Sequence, residues 1–272
     1  MEGTCMKKEY SIEHKKYLRK LTIENVCIHF SQIALLLIII FAWEGMANSG
    51  IVDPFITSSP SRIVKQLCTM IQDGTIWQHV GVTMYETLLA FVISTILGSL
   101  VAILLYMFLP LKRVLEPYLV ILNSLPKIAL GPLIIIWMGV GTKAIVTMGI
   151  LICIVITTIS MLNGFCTIED EKILLLKSMG ANKLQILFKL VLPASLPNFI
   201  SVLKINVGMA WVGVIIGEYL SSKAGLGYLL VYGGQVFQLD LVMTTIVVLC
   251  VLAGLMYGLV AILEYCVNKK RK

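Results

Sequence analysis

Apolar residues along this chain come in long blocks rather than in alternation. Residues 26–47 are apolar apart from His29, Ser31, Gln32 and Glu44, and residues 83–108 carry one charge, Glu86. Residues 117–139 carry one charge, Lys127, and are interrupted by Pro126 and Pro132. Residues 144–163 and 241–263 carry none, and residues 198–219 carry Lys204 and Glu218 near their ends. A helix needs about 20 apolar residues to cross the hydrocarbon of a bilayer. The pattern therefore predicts six transmembrane helices, the third kinked or interrupted by its prolines.

Two longer polar connections separate these blocks, 48–82 and 164–197. In the first, Ser59 is placed to cap a helix with Pro60 in its first turn. Ile63, Leu67, Met70 and Ile71 are expected to form its apolar face and Gly74 to end it, giving a helix that lies along the membrane surface. In the second, Glu169, Asp170 and Glu171 suit a first helical turn and Gly180 suits its end. Leu184, Leu187, Phe188 and Val191 then recur at helical spacing until Pro193 stops the run. The expectation is two short helices hinged at a glycine and kept out of the bilayer by Lys183 and Lys189.

Composition agrees with lipid as the solvent. The chain is 58% hydrophobic and 14% charged, against about 45–50% and ~25% in soluble domains. Charge then orients it, because short cytoplasmic loops hold the excess of lysine and arginine. With the N-terminus inside, the inner set is Lys7, Lys8, Lys15, Lys16, Arg19, Lys20, Lys112, Arg113, Lys172, Lys177, Lys183, Lys189, Lys269, Lys270, Arg271 and Lys272. The outer set is Arg62, Lys65, Lys143 and Lys223. The net charge of +7 is thus a topology signal and calls for no nucleic acid. The expected organisation is a basic cytoplasmic segment over 1–25, a first span over 26–47 that is not a cleaved signal, an outer loop over 48–82, a core over 83–263 enclosing the inner loop, and a basic tail over 264–272.

Small residues repeat at close to four-residue spacing inside the spans: Ser94, Gly98 and Ala102; Asn206, Ala210, Gly213 and Gly217; Gly254 and Gly258. Such faces let helix backbones approach closely in lipid, either within the chain or between two copies. Catalytic chemistry has no support. There is no phosphate-binding loop, no HExxH and no GxSxG; the seven cysteines lack paired metal spacing, and His14, His29 and His79 are far apart. No metal site is expected.

The stretch "KSMGANKLQILFKLVLPASLP" (177–197) resembles the cytoplasmic signature of ABC-importer permeases: EAA, three residues, Gly, nine residues, Ile, one residue, Leu-Pro. Gly180 takes the glycine position, followed by Ala181, with Leu190 in the Ile position and Leu192-Pro193 completing the match. Leu174, Leu175 and Leu176 stand where the family has EAA, a departure that leaves Glu171 the nearest acid. "NSLPKIALGPLIIIWMGVG" (123–141), "AWVGVIIGEYLSSKAGLGYLL" (210–230) and the outer "SSPSRIV" are similar to segments of the nitrate, taurine and aliphatic-sulfonate permease group, so the resemblance runs from Trp43 to the C-terminus.

The resemblance implies an all-α type I importer permease in the cell membrane, with both termini cytoplasmic. It implies transport of a small solute, such as an aliphatic sulfonate, taurine, nitrate or a vitamin precursor, delivered by an external binding protein. Two permease copies would form the path, and ATP would be used by two copies of a separate cytoplasmic subunit, with no cofactor bound by this chain. The 164–197 loop would be the coupling contact with that ATPase. Lys127, Lys204, Trp211 and Glu218 are candidates for the translocation path, Glu218 with a structural or gating role. A self-contained channel or secondary transporter is the alternative, weakened because no repeated halves with matched broken helices are visible.

Overall fold

In a computed structural model, residues 12–51 and 53–271 are described; Lys7, Lys8 and Lys272 of the basic set lie outside the described residues. All regular structure among these residues is helical. The chain divides into two compact units between Ile63 and Val64.

In the first unit, α1 (Ile12–Asn48) contains a candidate span, Val26–Asn48, among whose described side chains only Ala47 is buried. A helix apolar on all sides suits lipid or a partner subunit. The short α2 (Pro54–Thr57) is capped by Asp53, whose Oδ1 accepts from the Phe55 N–H at 2.8 Å. Glu44 near the end of α1 clamps the start of α3 (Pro60–Gln72), accepting from the Ser61 N–H at 3.0 Å and the Ser61 hydroxyl at 2.8 Å. Ser59 Oγ accepts from the Arg62 N–H at 3.4 Å. Ile63 and Met70 on α3 are buried but Ile71 is exposed. At ~100° per residue, Ile71 falls about 80° from Ile63 while Leu67 and Met70 stay within about 40°, so the expected face is corrected by one member.

The second unit is built on α4 (Thr75–Met107), α7 (Thr142–Cys166) and α11 (Leu196–Ser221), joined by α12 (Leu226–Gln235) and α13 (Leu239–Arg271). The small-residue faces bring the first three together. A Cβ at Gly98 would lie 2.6 Å from Thr157 Cβ, one at Gly213 2.7 Å from Gly149 Cα, and one at Gly217 2.9 Å from Ile145 Cα. Ser94, Ala102 and Ala210 are likewise fully buried, whereas a Cβ at Gly254 or Gly258 of α13 would meet nothing within 4 Å. Asn206 fastens the crossing by donating to Thr95 Oγ1 at 3.0 Å and Thr157 Oγ1 at 2.8 Å.

The helices run beyond the spans expected from hydropathy. α4 begins eight residues before the expected 83, directly after left-handed Gly74, because helix limits follow backbone geometry rather than polarity. α13 continues past 263 to Arg271, drawing the basic tail into the helix.

The third span, expected over 117–139 with an interruption at its prolines, is interrupted, but by Pro126 alone. It is α5 (Leu109–Ser124) and, after a break at residues 125–126, a 3₁₀ turn (Lys127–Leu130) running into α6 (Gly131–Met138), the two arms bent by 89°. Pro126 forces Leu125 into extended backbone, φ −66° and ψ 137°, and this ends α5. Pro132 does not break the chain, since it sits in the first turn of α6, where a missing N–H is tolerated.

Candidate functional site

The polar loop after α7 is a chain of short helices seated on one end of the bundle. α8 (Asp170–Ser178) ends in a paired cap: Gly180 N–H donates to Lys177 O at 2.9 Å and Ala181 N–H to Leu176 O at 3.0 Å. This closure needs a left-handed residue, and Gly180 has φ +81°. α9 (Lys183–Ile186) starts with a reciprocal capping box between Asn182 and Gln185. One π turn, Leu187–Val191, follows, and α10 (Leu192–Ala194) leads into α11.

Pro193 therefore does not stop the run as expected. The wider turn lets the Leu192 N–H reach Leu187 O, and Pro193 sits in the first turn of the next helix. The same widening changes the apolar face. Ile186, Leu187 and Val191 are buried against Ala102 and Leu105 of α4, Met161, Leu162 and Phe165 of α7, and Val202 of α11. Leu184 and Phe188, expected on that face, are exposed. Leu176, Ala181, Leu190 and Leu192 pack partly against this cluster, while Leu174, Leu175 and Met179 stand at 63%, 63% and 74% exposure. The loop is thus anchored on one side by buried residues and leaves Leu174, Leu175 and Met179 exposed on the other.

Lys127 opens the 3₁₀ turn directly after the break of the third span. Its Nζ donates to Asn123 Oδ1 at 3.4 Å, and it is in neither of the ion pairs found among the described residues. It lines a cavity of about 280 Å³ whose other walls are apolar except for Thr158, including Val101, Leu122, Leu130 and Leu151.

The other candidates are engaged inside the chain. Lys204 pairs with Glu264 of α13 and stands 5.7 Å from the Tyr257 ring centre. Trp211 is buried with Val207, Met256 and Val260, its indole N–H without a hydrogen-bond partner among the described residues. Glu218, at 1% exposure, faces the start of α12.

That helix start is held by three side chains the sequence reading did not assemble. The Gly225 N–H donates to His79 Nδ1 at 3.0 Å, the Leu226 N–H to Thr83 Oγ1 at 2.8 Å and the Gly227 N–H to Glu218 Oε2 at 2.5 Å. A Cβ at Gly225 would sit 2.5 Å from both Glu218 oxygens, so this approach requires glycine there. Glu86, the one charge of the second span, is equally buried and lies against Glu218. The available signal was the spacing of His79, Thr83 and Glu86, which puts all three on one stripe of α4.

Long apolar helices, one of them broken, with a polar helical loop anchored at one end, define a multi-pass membrane protein. Residues 94–270 match the family described as the binding-protein-dependent transport system inner membrane component, and the chain belongs to that family. It is 31% identical over 220 residues to a probable ABC transporter permease protein of Haemophilus influenzae, covering 81% of this chain and 89% of that one. It is 25% identical to the taurine transport system permease protein TauC of Escherichia coli (82% and 83% covered) and 29% identical to the formylaminopyrimidine transport permease protein ThiX of Halalkalibacterium halodurans (71% and 76% covered). Its fold is that of the inward-facing MetNI methionine ABC transporter, with a TM-score of 0.60 at 21% identity, covering 75% of this chain and 98% of that one.

The chain is accordingly the permease component of an ABC importer in the cell membrane. Such a component works with an ATPase and a substrate-binding protein, and this excludes the self-contained channel or carrier.

Proposed function

We propose that this permease imports a small anionic solute of the sulfonate type, received from an external binding protein, with two copies of the chain forming the path. The observation that carries this reading is Lys127. An ammonium in a membrane span is costly unless it meets water, a partner or a substrate. Here it stands at the only bent pair of membrane helices among the described residues, beside a cavity and in no ion pair with a carboxylate. The similarity to a taurine permease supports a solute that carries a sulfonate group. On this reading the 167–195 loop faces the cytoplasm and its exposed leucines meet the ATPase.

The test is Lys127→Met, which keeps the shape and removes the charge. Membrane level and basal ATP hydrolysis persist while uptake of the anion falls by about tenfold, equivalent to ~1.4 kcal/mol of lost interaction. Unimpaired uptake by a well-expressed variant overturns the assignment. A second reading, an uncharged heterocyclic vitamin precursor, is favoured by the otherwise apolar cavity wall and by the likeness to ThiX. A ligand screen on the cognate binding protein separates the two.

A further inference from the structure

Glu86 and Glu218 are each 1% exposed, on different helices, inside membrane-spanning segments. Their carboxyl groups face one another closely enough for a hydrogen bond between them. Glu218 spends Oε2 on the Gly227 N–H, but its Oε1 and Glu86 Oε2 are both buried with no hydrogen-bond partner among the described residues. Two carboxylates can only accept, so neither can satisfy the other. Each unfilled oxygen would carry the full penalty of a buried, unpaired polar atom. One hydrogen between them converts one acid into a donor and removes much of that penalty.

The surroundings offer no substitute cation. From α4, His79 presents Nδ1 as an acceptor to Gly225 and stacks on Tyr228 of α12, and Thr83 is engaged by Leu226. From the start of α7, Thr142 lies beside Glu86 and adds a neutral hydroxyl. Lys223 shares a cavity of about 390 Å³ with Glu86, yet it is in neither ion pair found among the described residues. The dipole of α12 favours one negative charge, which Glu218 places there through the Gly227 N–H.

We propose that Glu86 and Glu218 form a proton-binding site, sharing one proton at neutral pH, and that the loaded pair latches the N-terminus of α12 to α4 and α11. The proton belongs to the pair rather than to either residue. The latch ties three helices at the end of the bundle opposite the 167–195 loop, and its chemistry is independent of what is transported.

Infrared spectra of the whole transporter in lipid at neutral pH test the site directly. The expected result is a protonated-carboxyl C=O band that shifts in D2O and is absent from both Glu86→Gln and Glu218→Gln. Either amide supplies the missing donor, so both variants keep Tm within a few degrees of the parent, whereas Glu86→Ala, which cannot, lowers Tm clearly. The proposal is overturned if the parent shows no such band, or if the band survives in both glutamine variants. It is equally overturned if Tm rises steeply with sodium or potassium relative to choline, since a metal cation would then occupy the site. Should a glutamine variant fail to assemble, the parent spectrum and the cation comparison still decide.

Discussion

At the residue scale, what holds the bundle together is the absence of side chains at a few positions and the pairing of polar atoms at a few others. Gly213 shows the first. A methyl there would press on the backbone of Gly149, which cannot move aside as a flexible side chain could. Gly213→Ala is expected to cost about 1–3 kcal/mol, in the range for overpacking. Gly208 on the same helix has nothing within 4 Å of an added Cβ, so Gly208→Ala is expected to be neutral or to stabilise by up to ~1 kcal/mol. Thermal melting of the purified transporter compares them, and equal melting temperatures would remove the close crossing of α7 and α11. The spacing of Gly213 and Gly217 announced a packing face. Only the coordinates show that the partner is α7 of the same chain, because a glycine pattern carries no label for what it meets.

At the scale of the element, the 167–195 loop divides its apolar residues between two jobs. Ile186, Leu187 and Val191 pack it against the ends of α4, α7 and α11. Leu175 takes no part in that and stays exposed. Leu175→Glu is therefore expected to leave membrane level and Tm unchanged, since glutamate is a good helix former at an exposed site. If the ATPase docks on this surface, the variant lowers substrate-stimulated ATP hydrolysis and uptake by about tenfold or more, the effect of removing one central contact. Normal coupling in this variant would place the docking contact elsewhere. Gly180 is a poorer probe than its place in the signature implied. Its positive φ closes α8, and any side chain there strains the cap whether or not a partner approaches.

At the scale of the molecule, the basic residues cluster on one side of the predicted spans, and the orientation that follows is open to a direct measurement. Single cysteines at Thr75 and Lys223, in a cysteine-free background, are expected to react with an impermeant reagent from outside intact cells. One at Ser178 is expected to react only after the membrane is opened. External labelling at Ser178 would invert the topology and remove the loop from the ATPase. The order of the apolar helices, the helix over 60–72 and the short helices of the 167–195 loop were legible in the sequence, because the length of an apolar run and helix capping act locally along the chain. The 89° bend of the third span was half legible: Pro126 announced a break but not its angle. The turn from α- to π-geometry at Leu187, the seating of Trp211 and the pairing of Lys204 with Glu264 were not legible. Nor was the meeting of Glu86 with Glu218, two acids 132 positions apart in the numbering. Hydropathy records how each residue partitions between water and lipid by itself, and which buried groups meet is decided only when the helices cross.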